Sequence, residues 1–368
     1  MKRQVLLSSA AALLIAAFAA PAAAQLKVAV HGPMTGQYAA FGEQLKNGAE
    51  MAVAEINAKG GVLGKKIELI IGDDACDPKQ AVAIANKAVS DKVVFVDGHF
   101  CSGSSIPASR VYAESNILQI SPASTNPKFT DERPGPAVYR VVGRDDAQGL
   151  VAGAYLAKHF KGKQVAILHD KSAYGKGIAD ETLKAMNAGG LKEKMYEAYT
   201  ANEKDYTALV SKMKSDGIDA VYLGGYHTEG GLILRQMRDQ GLKAALFGAD
   251  ALVTDEFWKI AGPTAEGVMM TFAPDPRKLP AAKDIVAKFK AKGYDPEGYT
   301  LYTYAALQVW ADAANKAKST DTMKVVDQLK KGTFKTVIGD LAFDAKGDVK
   351  NAKYVWYKWS NGKYAELP

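Results

Sequence analysis

The chain has 368 residues, with 47 Lys and Arg against 40 Asp and Glu, a formal charge of +7. The excess is mild, the basic residues form no block and no zinc-finger or RNA-binding signature is present, so no nucleic acid partner is indicated. The length exceeds one ordinary core and predicts about two domains.

Residues 1–24 place Lys2 and Arg3 before an apolar run over 5–20 and the small triplet Ala22-Ala23-Ala24. That order predicts a secretory signal peptide cut near Ala24 and a soluble, exported mature chain. No cysteine follows the run, so a lipid anchor is not indicated, and no later stretch is long and apolar enough to cross a bilayer. From Leu26 the pattern alternates. LKVAVHG reads as a buried strand, and GEQLKNGAEMAVAEINAKGG as a helix with Leu45, Ala49, Ala52, Val53 and Ile56 on one face. KIELIIGDD, VVFVDG and ILQIS read as strands, with PKQAVAIANKAVS and SSIPASRVYAES as helices between them. A second series follows a seam near Gly143. Its helices are AQGLVAGAYLAKHF, GIADETLKAMNAGG, DYTALVSKMKSDG and EGGLILRQMRDQG, and its strands QVAILHD, KMYEAYT, DAVYLGG and AALFGAD. This alternation is that of parallel sheets covered by helices on both faces, an α/β fold. The last hundred residues give one strand, EGVMMTFAP, three helices, and a predicted hairpin turning around 344–348. Too helical for a third domain, this tail is expected to pack back onto the first two units.

Ligands of open α/β sheets bind beyond the carboxyl ends of the strands. Six loops there are rich in glycine, serine and threonine: GPMTGQYAAFG, GHFCSGSS, SPAST, HDKSAYGKG, GGYHTEGG and GADALVTDE. Hydroxyls and backbone N–H groups at helix starts converge on anions, although the same residues also serve as plain helix caps. Aromatic residues Phe41, Phe100, Tyr174, Tyr226 and Tyr299 fall on or beside these loops and suit a small ligand with a charged head and an apolar tail.

In GHFCSGSS, His99 and Cys101 raise four readings: a Cys/His nucleophile, a metal clip, half of a disulfide, or a ligand cradle. The only cysteines are Cys76 and Cys101, an even count that makes pairing the default in an oxidising compartment and leaves no nucleophilic thiol. The five histidines, His31, His99, His159, His169 and His227, show no close zinc-ligand spacing. Serine-hydrolase, phosphate-loop and dinucleotide motifs are absent, and DDACD lacks the rest of a calcium loop, so Pro78 marks it instead as a helix start. No enzyme, cofactor or metal site is predicted.

GAEMAVAEINAKGG, DDACDPKQAVAIANK, GHFCSGSS, SPAST, HDKSAYGKG, GGYHTEGGLILRQMRDQGL and YTYAAL together resemble, in order and over essentially the whole mature chain, the periplasmic leucine/isoleucine/valine-binding proteins of ABC-type uptake systems. The resemblance implies the type I periplasmic binding protein fold: two Rossmann-like lobes joined by three crossovers, with the ligand in the cleft. The expected lobes are 25–143 plus 273–350, and 144–272 plus 351–368. It implies a monomer that delivers a branched-chain or other small aliphatic amino acid to an inner-membrane ABC permease by clamshell closure, the alternative being an amino-acid or amide sensor of the same fold. It places the ligand carboxylate on Ser102 and Thr125, the ammonium on the Ala123 carbonyl and Asp250, and Tyr226 as the residue that closes from the second lobe, with Cys76 and Cys101 paired. The chain departs from the leucine-binding pattern in carrying Asp250 for a glutamate, Phe100 for a leucine, Tyr299 for a phenylalanine and Phe41 for a tyrosine. Larger side chains at 100 and 299 are expected to shrink the pocket. An aspartate withdraws the charge by roughly 1.5 Å, one bond length. The expected ligands are therefore valine, leucine, isoleucine, alanine, proline or a γ-amino acid, with leucine disfavoured.

Overall fold

The computed structural model describes residues 25–368; the signal peptide expected at 1–24 lies outside them. The first series forms β1 (Leu26–Gly32), α1 (Ala39–Ala58), β2 (Ile67–Asp73), α2 (Pro78–Ser90), β3 (Phe95–Gly98), α3 (Ser102–Glu114), β4 (Leu118–Ser121), the single turn α4 (Lys128–Asp131) and β5 (Val138–Arg140). These strands make one parallel sheet of order β2-β1-β3-β4-β5. The central strands β3 and β4 are buried on both faces, which is why they read as short apolar runs rather than alternating ones. DDACD is a helix start as expected: Asp77 accepts the Lys79 and Gln80 N–H groups at 2.8 Å and Pro78 occupies the first turn.

The second series is α5 (Asp145–His159), β6 (Val165–His169), α6 (Ala173–Ala188), β7 (Met195–Ala198), α7 (Thr207–Ser215), β8 (Ala220–Gly224), α8 (His227–Asp239), β9 (Ala245–Gly248), α9 (Asp255–Ala261) and β10 (Met269–Phe272). The tail follows as α10 (Lys283–Ala291), α11 (Thr300–Ala317), α12 (Thr322–Lys331), β11 (Phe334–Thr336), β12 (Gly339–Leu341), β13 (Val355–Ser360) and β14 (Lys363–Glu366). The second sheet has the order β14-β13-β10-β9-β8-β6-β7, parallel except for β13 and β14 at one end, which pair antiparallel.

The tail does return to both units. Helix α11 packs on α1, β3 and β4, with Trp310 stacked on Phe95 at 5.1 Å, and α12 packs on α11. The chain therefore passes between the sheets three times: after β5, after β10 and before β13. The predicted hairpin differs in detail. The turn at 344–348 is closed by one bridge, Phe343 to Val349, and the extended hairpin is β13–β14, with Ser360 opposite Lys363. Its two-residue turn, Asn361 at φ 50° and Gly362 at φ 78°, needs left-handed backbone at both positions, which Asn-Gly supplies cheaply.

Arg140 fastens the passages. Its guanidinium is fully buried and donates to Asp348 Oδ1 (2.7 Å), the Ser124 and Asn126 carbonyls (2.6 and 3.0 Å) and Thr130 Oγ1 (2.7 Å). Arg144 also reaches Asp348, at 2.8 Å. One aspartate ahead of β13 thus ties the third passage to the first.

Candidate functional site

Each sheet has a switch point, between β1 and β3 in the first and between β6 and β8 in the second, where strand order reverses and loops splay apart. The loops of the two switch points face each other. Between them lies a small cavity lined by Phe100, Ser102, Ala123, Tyr174, Tyr226, Asp250 and Ala251. Six of these seven were singled out in the sequence. Phe100 and Ser102 follow β3, Ala123 follows β4, Tyr174 follows β6, Tyr226 follows β8 and Asp250 follows β9, so all stand at carboxyl ends of strands. A wider surface groove at the cleft mouth runs past Met34, Lys46, His227 and Glu256, but the convergent polar groups belong to the smaller cavity.

On the first lobe, GHFCSGSS is held from behind. The His99 carbonyl accepts the hydroxyls of Ser105 (3.2 Å), Ser121 (2.7 Å) and Ser124 (3.3 Å), binding the GHFCSGSS and SPAST loops to each other. The His99 ring is buried between Asp74 (Nδ1 to Oδ2, 2.6 Å) and the Tyr112 hydroxyl (Nε2, 2.8 Å). Cys101 is bonded to Cys76, with Cα atoms 5.6 Å apart. His99 and Cys101 are thus both occupied structurally. Ser102 begins α3, with its hydroxyl accepting the Asn126 N–H at 3.3 Å. Phe41 lies outside the lining and stacks on Phe100 at 4.3 Å, backing that wall. Thr125 also lies outside it, buried with an unpartnered Oγ1.

On the second lobe, Asp250 takes the Tyr174 hydroxyl on Oδ1 at 2.9 Å and the Tyr299 hydroxyl on Oδ2. Burial raises the Asp250 carboxyl above the usual carboxylate range, and these two hydrogen bonds oppose the rise. Tyr299 precedes α11 and meets Phe100 edge-on at 5.2 Å, so it touches both the acid and the apolar wall. Among the described residues no group of His, Cys, Asp or Glu could hold a metal ion.

The lobes are in contact around the cavity. Gln37 Nε2 donates to Glu229 Oε1 at 2.8 Å, Thr228 Oγ1 to the Gln37 carbonyl at 3.1 Å, and Asn126 Nδ2 to the Ala173 carbonyl. Tyr38 packs on Tyr226 at 4.3 Å. At the other rim Glu297 accepts Thr254 Oγ1 (3.1 Å), the Asp255 N–H (3.2 Å) and the Tyr364 hydroxyl (3.0 Å). Apart from Tyr226, none of these latch residues was read as such from the sequence, because each stands far along the chain from the residue it meets.

A family model described as periplasmic binding protein matches residues 25–363. The chain belongs to the periplasmic binding protein family. Within it, the chain is 52% identical over 341 residues to a Leu/Ile/Val-binding protein homolog 2 of Brucella abortus, covering 92% of each. Its fold superimposes on a leucine-binding protein, LivK, of Thermotoga maritima with a TM-score of 0.87 at 29% identity, covering 93% of this chain and 98% of that one. It also superimposes on a branched-chain amino acid transporter binding protein, LivJ, of Streptococcus pneumoniae in complex with isoleucine. There the TM-score is 0.84 at 26% identity, covering 94% and 99%. The type I fold expected from the sequence is thereby established for this periplasmic binding protein, with its cavity where the sheets' switch points meet.

Proposed function

We propose that this periplasmic binding protein captures a small aliphatic amino acid after export and hands it to an inner-membrane ABC permease. The observation that carries this reading is the division of labour across the cavity. Ser102 and the Ala123 carbonyl stand on one lobe, and Asp250 and Tyr226 on the other. A zwitterion needs opposite recognition at its two ends. The hydroxyl and backbone N–H groups at Ser102 and Thr125 suit its carboxylate, and the Ala123 carbonyl with Asp250 suits its ammonium. Because these groups lie on different lobes, the bound ligand bridges them and shifts the population toward the closed form.

The ligand class follows from size. Phe100 walls the cavity and Phe41 stacks behind it, so the apolar side of the site is filled by two rings. Valine, alanine, proline or a γ-amino acid fits that space better than leucine, and the relatives' ligands, isoleucine and leucine, set the upper size. Calorimetric titration of the mature protein with leucine, isoleucine, valine, alanine, proline and a γ-amino acid tests both parts. Binding of none of them overturns the amino-acid reading. Leucine binding more than tenfold tighter than all the smaller ligands, a gap of about 1.4 kcal/mol, overturns the size reading.

A further inference from the structure

The three chain passages between the lobes enclose a second cavity, of about 270 Å³, that shares no lining residue with the ligand cleft. Val141 and Gly143 come from the first passage, Ala273 and Pro276 from the second, and residues 350–353 from the third. The passages are tightly packed. A Cβ at Gly143 would stand 2.7 Å from the Tyr354 hydroxyl, so no side chain fits there between the first passage and the third. Tyr302 of α11, Ile338 and Leu341 make the remaining wall apolar, and Leu279 adds one of the few large apolar side chains left exposed. Tyr302 is only 5% exposed, yet no hydrogen bond acts on its hydroxyl among the described residues. A buried hydroxyl that lines a cavity without a partner is costly and points to an acceptor supplied from outside.

Charge selects the class of that acceptor. Lys350 and Lys353 line the exposed side of the cavity, and neither is ion-paired among the described residues. The one acid in the lining, Asp340, stands directly opposite Lys335 across the β11–β12 ladder, which offsets its charge. An apolar wall, two ammonium groups and a hydroxyl donor suit an anion with an apolar body. We propose that this cavity is a second ligand site, taking a small monocarboxylate with an apolar body, and that its occupant favours the closed form of the cleft. Lobe opening rotates all three passages, so the walls they supply do not keep this spacing in both forms. The cavity is formed while the lobes touch at Gln37–Glu229 and Tyr38–Tyr226, and an occupant therefore stabilises that form. The coupling is reciprocal, each ligand raising the affinity for the other by the same factor. The site stands apart from the amino-acid reading above, and only its coupling to the cleft rests on that reading.

Octanoate titrated into the mature protein tests both parts, with octanol as the probe that keeps the apolar body and lacks the charge. Octanoate is expected to bind saturably, with a Kd of about 1 mM or tighter, and to move the backbone amide resonances of Ile338, Leu341 and Asn351. The double variant K350Q/K353Q is expected to bind octanoate at least about tenfold more weakly. Without octanoate it is expected to keep wild-type amino-acid affinity, which shows that it is folded. Saturating octanoate is expected to raise the affinity for the tightest-binding amino acid of the panel by about fivefold or more in the wild type, and to leave the double variant unchanged. Absence of saturable octanoate binding overturns the site. So does octanol binding as tightly as octanoate, or K350Q/K353Q binding octanoate within about twofold of wild type. Resonance changes confined to Phe100, Ser102 and Ala123, with weakened amino-acid affinity, place octanoate in the ligand cleft and overturn it too. Unchanged amino-acid affinity with octanoate bound at the passages overturns the coupling. Failure of the amino-acid reading is separate: no amino acid of the panel binds, while octanoate still does.

Discussion

Phe100 and Tyr299 are the single side chains on which the proposed ligand choice rests. Phe100 is a cavity wall backed by Phe41, and Tyr299 touches both Phe100 and Asp250. Replacing Phe100 by leucine opens space at the wall. F100L is expected to raise leucine affinity relative to alanine by about tenfold, about 1.4 kcal/mol, read by titrating both ligands against both proteins. Y299F leaves the ring in place and removes one donor from the buried Asp250. Its expected effect is a stability loss of about 1–3 kcal/mol in urea unfolding, the cost of a buried charged acceptor losing a hydrogen bond. Phe100, Ser102 and Asp250 were legible in the sequence because each sits in a strand-to-helix loop of recognisable composition. Glu297 was not, because its partners Thr254 and Tyr364 stand 43 and 67 positions away along the chain.

Two devices hold the loops that carry these residues. The Cys76–Cys101 bond ties the loop after β2 to the start of α3, closing a sequence separation of 25 residues. Reducing it is expected to lower stability by about 3 kcal/mol by the loop-entropy estimate and to loosen Ser102, so urea unfolding with and without reductant should separate by that amount. Arg140 is the second device, because it holds the carbonyls on either side of Thr125 and at the same time Asp348 before β13. R140M leaves Asp348 buried without its main partner, which costs about 3–5 kcal/mol. Most helices and strands were readable from periodicity, whereas the short elements α4, β5, α9, β11 and β12 were not read. The β13–β14 hairpin was not read, although its Asn-Gly turn is a strong local signal, because the tail's alternation was assigned to the turn at 344–348.

At the scale of the molecule the contacts between lobes are acidic on both rims. Glu297 is pushed up to about 7, first by burial and then by the neighbouring Asp255 carboxyl, against the pull of its hydrogen bonds to Tyr364 and Thr254. Asp170, behind the Tyr38–Glu229 contact, is pushed up to about 6 by burial, with the Glu229 charge adding to the rise. A carboxyl whose value rises in the closed form favours closure while protonated. The contribution from Glu297 is therefore full below its ordinary value of 4.5 and is lost as pH rises through about 7. Ligand affinity is expected to weaken between pH 5 and pH 8, and E297Q, which cannot ionise, to flatten that dependence. An unchanged pH profile in E297Q would show that its charge does not influence closure.

Strand and helix order, the paired cysteines and the loops that bear the site were determined by the sequence itself, since periodicity, capping residues and turn composition are local properties of the chain. The tertiary structure decided which loops meet. It set Asp250 against two tyrosines from distant segments and gave Glu297 partners at Thr254 and Tyr364. Those pairings join residues up to 76 positions apart, and their energies depend on burial and neighbouring charge, which exist only once the two sheets face each other.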